Sequence, residues 1–319
     1  MTAQEDAPAN GDYWDLDEIT GALKQARTHW RAGHQRHVEY GAVGFPSRGE
    51  LDKIMVALCA ALFPLRLGPH FVRLENEDAF VAETLDVALR KLYGQIRLEL
   101  AYERQDDAAA ARIIGGFATA LPRLRTLLDT DLEAAYAGDP AARSVDEILL
   151  CYPGMLAIIH HRLAHELHQR GAPLVARIIA EIANSKTSID IHPGARIGAS
   201  FFLDHGTGVV IGETTIIGER VRIYQAVTLG ARSFPSTIDG SLEKGLMRHP
   251  IIEDDVVIYA GATLLGRITI GHGSTIGGNV WLTESVPPGS IINQARSERV
   301  AERTGAIEPQ PAVANGLAS

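Results

Sequence analysis

Cysteine is scarce in this 319-residue chain. There are two, Cys59 and Cys151, and neither falls in a CxxC or Cys/His metal spacing. That excludes a disulfide-built secreted scaffold, and both thiols read as reduced and buried in a cytoplasmic protein. Long apolar runs are missing as well. The longest, Ile54 to Leu65, has 12 residues, short of the roughly 18 that a membrane-spanning helix needs. Positive charge is in deficit, with 30 Lys+Arg against 39 Asp+Glu and a formal net charge of -9. A general nucleic-acid binder is excluded on that ground, because a phosphate backbone demands a basic face. Local positive charge still suffices for a phosphorylated co-substrate. The N-terminus, Met1 to Asn10, is acidic and rich in Pro and Ala, unlike a secretory leader.

What is present is a soluble globular composition, 46% apolar and 22% charged, with length for about two domains. Up to residue 186 the pattern is helical. Ser47 with Glu50, Thr130 with Glu133 and Ser144 with Glu147 read as capping boxes. Val145 to Gln169 reads as one long helix ending at Gly171, with apolar residues such as Ile148, Tyr152, Leu156, Ile159 and Leu163 at helical spacing. Residues 1–12 and 307–319 are expected to be disordered, the latter within a C-terminal tail over 296–319.

Near residue 187 the period changes to six. Aliphatic residues stand at Ile191, Ile197 and Leu203. After a two-residue slip they return at Ile211, Ile217, Ile223 and Leu229, then at Ile252, Ile258, Leu264, Ile270, Ile276 and Leu282. Small or β-branched residues follow four places later, as at Ala195, Thr207, Thr215, Val221 and Val256. A six-residue unit has no core of its own but supplies one short strand and a corner. Three units make a triangular coil, and stacked coils bury an aliphatic column. The expected fold class is α+β: an all-α domain over 13–186, then a left-handed parallel β-helix of hexapeptide repeats over 187–295. The stretch 231–250 breaks the repeat and is expected to project as a loop over a neighbouring surface.

Polar residues interrupt this solenoid at Asp190 and His192, at Asp204 and His205, and at Arg248 and His249. Asp190 and His205 are about one coil apart and so can stack. A carboxylate against an imidazole fixes its tautomer and makes it a general base. His192 reads as a corner cap. His160, His161, His165 and His168 share a helix, with His161 and His165 four apart. No third ligand has matching spacing, so a solvated or interface face is expected rather than a metal site.

The runs D-P-A-A (Asp139 to Ala142), D-I-H-P (Asp190 to Pro193), L-D-H-G-T-G-V-V-I-G-E-T (Leu203 to Thr214), V-T-L-G (Val227 to Gly230) and R-H-P (Arg248 to Pro250) closely resemble the serine O-acetyltransferases. These enzymes make O-acetylserine from L-serine and acetyl-CoA for cysteine synthesis. The resemblance covers about residues 130–295. It implies that His205 takes the proton from the serine hydroxyl and that Asp190 orients His205. It also implies that Asp139 and Asp204 hold the serine ammonium, that Arg248 binds its carboxylate and that His249 makes a second contact to that substrate. Gly230, Ala260, Gly261 and Gly278 match the track of the pantetheine arm. A trimer whose site is built by two chains is implied, with pairing into a hexamer and cysteine feedback as further family features. The resemblance also implies direct transfer, which suits the absence of a G-x-S-x-G elbow.

Three features depart from the family pattern. The segment 231–247 is longer than the family's short turn. Ile292 to Arg296 read I-N-Q-A-R where the family often has A-G-x-P-A-R. Thr275 replaces a frequent Lys, leaving Arg232, Lys244, Arg267 or His272 to supply charge near the pyrophosphate. The chain ends in Ser319 rather than Ile, so docking to the sulfhydrylase through a C-terminal Ile is not expected. Acceptors such as homoserine or a sugar, and a non-catalytic scaffold, are the competing readings. Asp139, Asp204 and Arg248 together favour an α-amino acid.

Overall fold

A computed structural model describes residues 14–33, 44–102, 107–233, 242–243 and 245–294. The expected tails, Lys244 and most of the centre of the 231–250 loop lie outside these residues.

Eight helices are described: α1 (Leu16–Gly33), α2 (Arg48–Leu62), α3 (Pro64–Leu67), α4 (Glu77–Tyr102), α5 (Asp107–Gly138), α6 (Val145–Cys151), α7 (Pro153–Gln169) and α8 (Pro173–Thr187). None is long and apolar enough to cross a membrane. Two of the three capping signals act as written. Ser47 Oγ accepts from the Glu50 N–H at 3.3 Å, and Ser144 Oγ accepts from the Glu147 N–H at 3.1 Å. Thr130 does not start a helix. It lies inside α5, where its hydroxyl donates to the Leu127 carbonyl and accepts from the Ser200 N–H.

The expected single helix from Val145 to Gln169 is broken at Tyr152, which takes an extended conformation (φ -83, ψ 121) before Pro153. Proline bars its predecessor from helical geometry, and this break turns Tyr152 toward the site. Two further expectations are corrected. Cys151 is exposed, and only Cys59 is buried. His160 and His161 are buried rather than solvated. The amphipathic pattern of α7 misled here because the helix is sandwiched between α5, α8 and the first coil, so its polar stripe is also covered.

From Asp190 the chain forms a left-handed parallel β-helix of about five coils, whose strands have two or three residues. Three parallel sheets form its faces. The first is β1-β4-β7-β10-β13 (β1 Asp190–Ile191, β4 Val210–Ile211, β7 Thr228–Gly230, β10 Thr263–Leu265, β13 Trp281–Leu282). The second is β2-β5-β8-β11 (β2 Arg196–Ile197, β5 Ile216–Ile217, β8 Ile251–Ile252, β11 Thr269–Ile270). The third is β3-β6-β9-β12-β14 (β3 Phe202–Asp204, β6 Arg222–Tyr224, β9 Val257–Ile258, β12 Thr275–Ile276, β14 Ile291–Ile292). On the first face Ile191, Ile211, Leu229, Leu264 and Leu282 are in register and point inward. Fully burying one such side chain is worth about 1.5–3 kcal/mol, so the column is the main cohesive term of the solenoid. Corners at Ser200, Arg220, Ala226, Asp255 and Asn279 take positive φ, the left-handed conformation that turns the chain between faces.

One corner departs from the period. Between Leu203 and Ile211 the inward corner residue is Val209, not Thr207, which is exposed. The two extra residues bulge outward, and His205 sits on that bulge with φ 59. The helices and the coils share one continuous apolar core. A buried ion pair ties them together. Arg162 donates to both carboxylate oxygens of Asp131 at 2.9 and 3.1 Å and also reaches the Ile197 and Gly198 carbonyls. Asp131 in turn accepts from the Phe201 N–H at 2.9 Å.

Candidate active site

The residues singled out in the sequence gather on two edges of the first face. One edge is the corner leading from the third face to the first, and it carries His205. The other is the corner leading from the first face to the second, and it carries Arg248 and His249.

The His205 edge is acidic. The end of α5 delivers Asp139, whose backbone N–H donates to the Ala135 carbonyl. No helix starts at Asp139. Its carboxylate instead closes a tight turn by accepting from the Ala141 N–H at 2.8 Å. The second oxygen accepts from the Tyr152 hydroxyl at 2.6 Å. The tyrosine bond, then the amide bond, hold the Asp139 carboxyl below the usual range. The same hydrogen bond pushes the Tyr152 phenol up to about 12. Gly154, in the first turn of α7, lets the helix touch the coil, because a Cβ there would stand 2.4 Å from the Leu203 carbonyl oxygen. Asp139, Tyr152, Gly154, Leu203, His205 and Thr207 line a cavity of about 430 Å³.

His205 has a side chain 72% exposed, while that of Asp204 is 8% exposed, and His205 Nε2 lies 3.6 Å from the Asp204 carboxylate. Asp204 is ion-paired with Arg222 of the next coil. The Arg222 guanidinium lies 5.0 Å over the Phe202 ring and 4.7 Å over the Tyr224 ring. Asp190, half-buried at the start of β1, has its carboxyl pushed up by burial. Arg177 of α8 opposes that shift and Glu181 of α8 adds to it. Among the described residues no hydrogen bond or ion pair joins Asp190 to His205.

The opposite edge is basic and more deeply packed. His249 is 6% exposed, and its ring rests over Gly212, where a Cβ would meet it at 2.1 Å. The Thr214 N–H donates to His249 Nδ1 at 3.0 Å. An amide only donates, so Nδ1 is the acceptor and Nε2 carries the hydrogen. Burial, reinforced by Arg248, pushes the His249 imidazole down to about 4. Arg248 pairs with Glu213 at 2.8 Å, and Arg267 donates to the Thr214 and His249 carbonyls at 2.7 and 2.9 Å. His192 caps its corner by accepting from the Gly194 N–H at 3.0 Å.

Ala260, Gly261 and Gly278 stack on the His205 edge in the coils beyond it, with the Asn279 N–H donating to the Ala260 carbonyl at 2.8 Å. Gly230, at the end of β7, stands on the other edge. One chain therefore carries the two halves of the predicted site on opposite sides of its first face. Sequence reasoning missed Tyr152, Arg222 and Glu213. Only Glu213, inside the quoted run from Leu203 to Thr214, left a signal. The other two take their roles from the Pro153 break and from stacking between coils.

The bacterial transferase hexapeptide family (six repeats) matches residues 249–284. A plasmid serine acetyltransferase of Synechococcus elongatus is 55% identical over 294 residues, spanning 89% of this chain and 92% of the relative. The serine acetyltransferase of Mycobacterium tuberculosis is 49% identical over 167 residues, 52% of this chain and 69% of the relative. Among solved structures, Entamoeba histolytica serine acetyltransferase 1 in complex with L-cysteine superposes with a TM-score of 0.68 at 39% identity, covering 75% of this chain and 86% of that one. Isoform 3 from the same organism, in complex with cysteine, gives a TM-score of 0.66 at 38% identity, covering 77% and 84%. With so close a relative spanning most of both chains, the protein belongs to the serine acetyltransferase family.

Proposed function

We propose that this protein moves the acetyl group of acetyl-CoA directly onto the hydroxyl of L-serine, giving O-acetylserine and CoA, with His205 as general base. The observation that carries this reading is an accessible imidazole on a bulged corner, flanked by two carboxylates, at one end of a row of small residues. The exposed imidazole of His205 takes the serine proton as the oxygen attacks the thioester carbonyl. The C–S bond then breaks, and the proton passes to the departing CoA thiolate. Asp139 and Asp204 hold the ammonium. Arg248 and the Nε2–H of His249 hold the carboxylate, a task suited to a forked guanidinium. Backbone N–H groups of the corner stabilise the oxyanion.

The two halves lie on opposite edges of one chain, so a working site takes the acidic edge of one protomer and the basic edge of another. A homotrimer meets that requirement, and two trimers paired through their helices would give a hexamer. The pantetheine arm runs along Ala260, Gly261 and Gly278, with Gly230 supplied across the interface. Asp190 acts once the exposed imidazole turns toward the first strand. Asp190→Asn is then expected to lower kcat about tenfold with the serine KM unchanged, and a KM effect alone would remove it from orientation. Cysteine has the ammonium and carboxylate of serine with a thiol in place of the hydroxyl, so it fits the same contacts as an inhibitor.

An acceptor panel with acetyl-CoA, following thiol release, tests the reading. L-serine is expected to lead homoserine, threonine and simple sugars. Transfer to one of those with none to serine would sink it.

A further inference from the structure

The chain that follows β7 rejoins the solenoid at Arg248, and its backbone needs partners before the strand ladder takes over. That ladder begins where the Ile216 N–H donates to the Pro250 carbonyl at 3.2 Å. Just ahead of it, the N–H groups of Arg248 and His249 both donate to one side chain, the Thr214 hydroxyl, at 3.0 and 3.2 Å.

Thr214 stands half-buried in the corner between β4 and β5. Strand register stacks three coils here, since Ile216 pairs with Ile251 and Ile251 with Thr269. Thr214, His249 and Arg267 lie two residues ahead of those partners and so form one column. Arg267 ties it together by donating to the Thr214 and His249 carbonyls. A hydroxyl oxygen has two lone pairs and one hydrogen. The Arg248 and His249 N–H groups fill the lone pairs. The hydrogen is left for His249 Nδ1, 2.9 Å away, which also accepts from the Thr214 N–H. Every hydrogen-bonding capacity of this hydroxyl is thus spent on Arg248 and His249. Glu213 holds Arg248 only by its guanidinium.

We propose that the Thr214 hydroxyl is the positioning group that makes the site select acceptors bearing an α-carboxylate. It acts through Arg248 and His249 rather than on the substrate. It sets where the Arg248 backbone enters the edge and how the His249 ring lies over Gly212, and so where the two carboxylate donors meet. The inference rests on the acetyl-transfer reading and deepens it, because that reading names the carboxylate contacts and the hydroxyl brings them to one place. A methyl in place of the hydroxyl keeps the β-branched shape of the corner but deprives both N–H groups of their acceptor. Buried donors are rarely left unmet, so the returning backbone shifts and takes the guanidinium with it.

Steady-state kinetics with L-serine and L-serinamide test the role, because the two acceptors differ in the carboxylate alone. The parent protein is expected to favour serine at least about tenfold in kcat/KM. Thr214→Val raises the serine KM about tenfold and leaves kcat and the acetyl-CoA KM within about twofold. The serinamide KM stays where it was, so the preference collapses. Thr214→Ser restores the hydroxyl and keeps the parent's preference. Should the valine variant fold poorly, Thr214→Ala decides the same comparison. A parent without the preference, a preference that survives loss of the hydroxyl, or a serine variant as unselective as the valine one would each overturn the proposal. Equal losses toward serine and serinamide, or an acetyl-CoA KM that climbs with the serine KM, would overturn it as well, by showing a general support of the fold. A parent protein that acetylates no serine is recognised before any variant is compared, and there it is the transfer reading that fails and takes this role with it.

Discussion

The two edges of the first face are made of the same repeat and differ in almost everything else. On the acidic edge two inserted residues push His205 out of the coil, so the imidazole is solvent-facing and held by little besides Asp204. On the basic edge the 231–250 segment re-enters through Arg248 and His249, which are locked by Thr214, Glu213 and Arg267. A mobile imidazole suits proton transfer, which needs motion between donor and acceptor. A locked guanidinium and a neutral imidazole of fixed tautomer suit recognition, where pre-organisation limits the entropy lost on binding. The repeat supplies the spacing, and the departures from it supply the chemistry.

The largest effect is expected from emptying the acidic edge. His205→Asn keeps a residue that tolerates left-handed backbone but removes the base, so turnover should fall at least ~100-fold with the thermal transition preserved. On the basic edge Arg248→Ala should raise the serine KM about 10–100-fold, the scale of a charged hydrogen bond, and leave the acetyl-CoA KM nearly alone. Equal rises in both constants would contradict carboxylate binding. Co-expressing the two variants sharpens the comparison. If each site draws one edge from each of two chains, mixed assemblies contain some sites free of both changes and recover activity. Mixtures as inactive as the single variants would return both edges to one chain.

The imidazoles packed within the fold give the next effect. Burial lowers the His160 pKa to about 4 and that of His161 well below its usual value. The unfolded chain takes up protons near pH 6.5 while the folded chain does not, so the stabilising contribution is present above about pH 6.5 and is lost as pH falls toward 4. Each unit of difference corresponds to about 1.4 kcal/mol, so His160 alone contributes on the order of 2–3 kcal/mol to that fall. Denaturant melts between pH 7 and 4.5 should show this slope, and His161→Leu should flatten it. A slope identical in the variant would mean that His161 takes up its proton without cost.

How legible all this was depends on whether a residue's neighbours are set by local period or by distant packing. Ile191 to Leu282 announced the solenoid, because each strand repeats the same demand and a slip shows at once. The slip before Ile211 even marked the bulge that carries His205. By contrast, Arg162 and Asp131 gave no sign of meeting, since nothing local relates positions 31 apart on two helices. The Tyr152–Pro153 break was hidden by apolar residues that kept helical spacing across it. The burial of His160 and His161 followed from a sandwich that no single helix encodes.

The smallest effect, and the finest probe of the acidic edge, belongs to Tyr152. Its hydroxyl is the first cause of the lowered Asp139 pKa, and Asp139 must be charged to hold an ammonium. Tyr152→Phe keeps the ring and the extended backbone before Pro153 but deletes the 2.6 Å hydrogen bond. Asp139 then protonates at higher pH than before, so the acid-side rise in serine KM should begin at higher pH. At neutral pH the carboxylate stays charged but is less well placed, and the serine KM should rise about three- to tenfold. The Arg248 edge is untouched by the change, so the affinity for a serine analogue lacking the amino group should not move. If that analogue weakens as much as serine does, Tyr152 supports the whole cavity rather than the ammonium, and the division of labour between the two edges fails at its most finely drawn point.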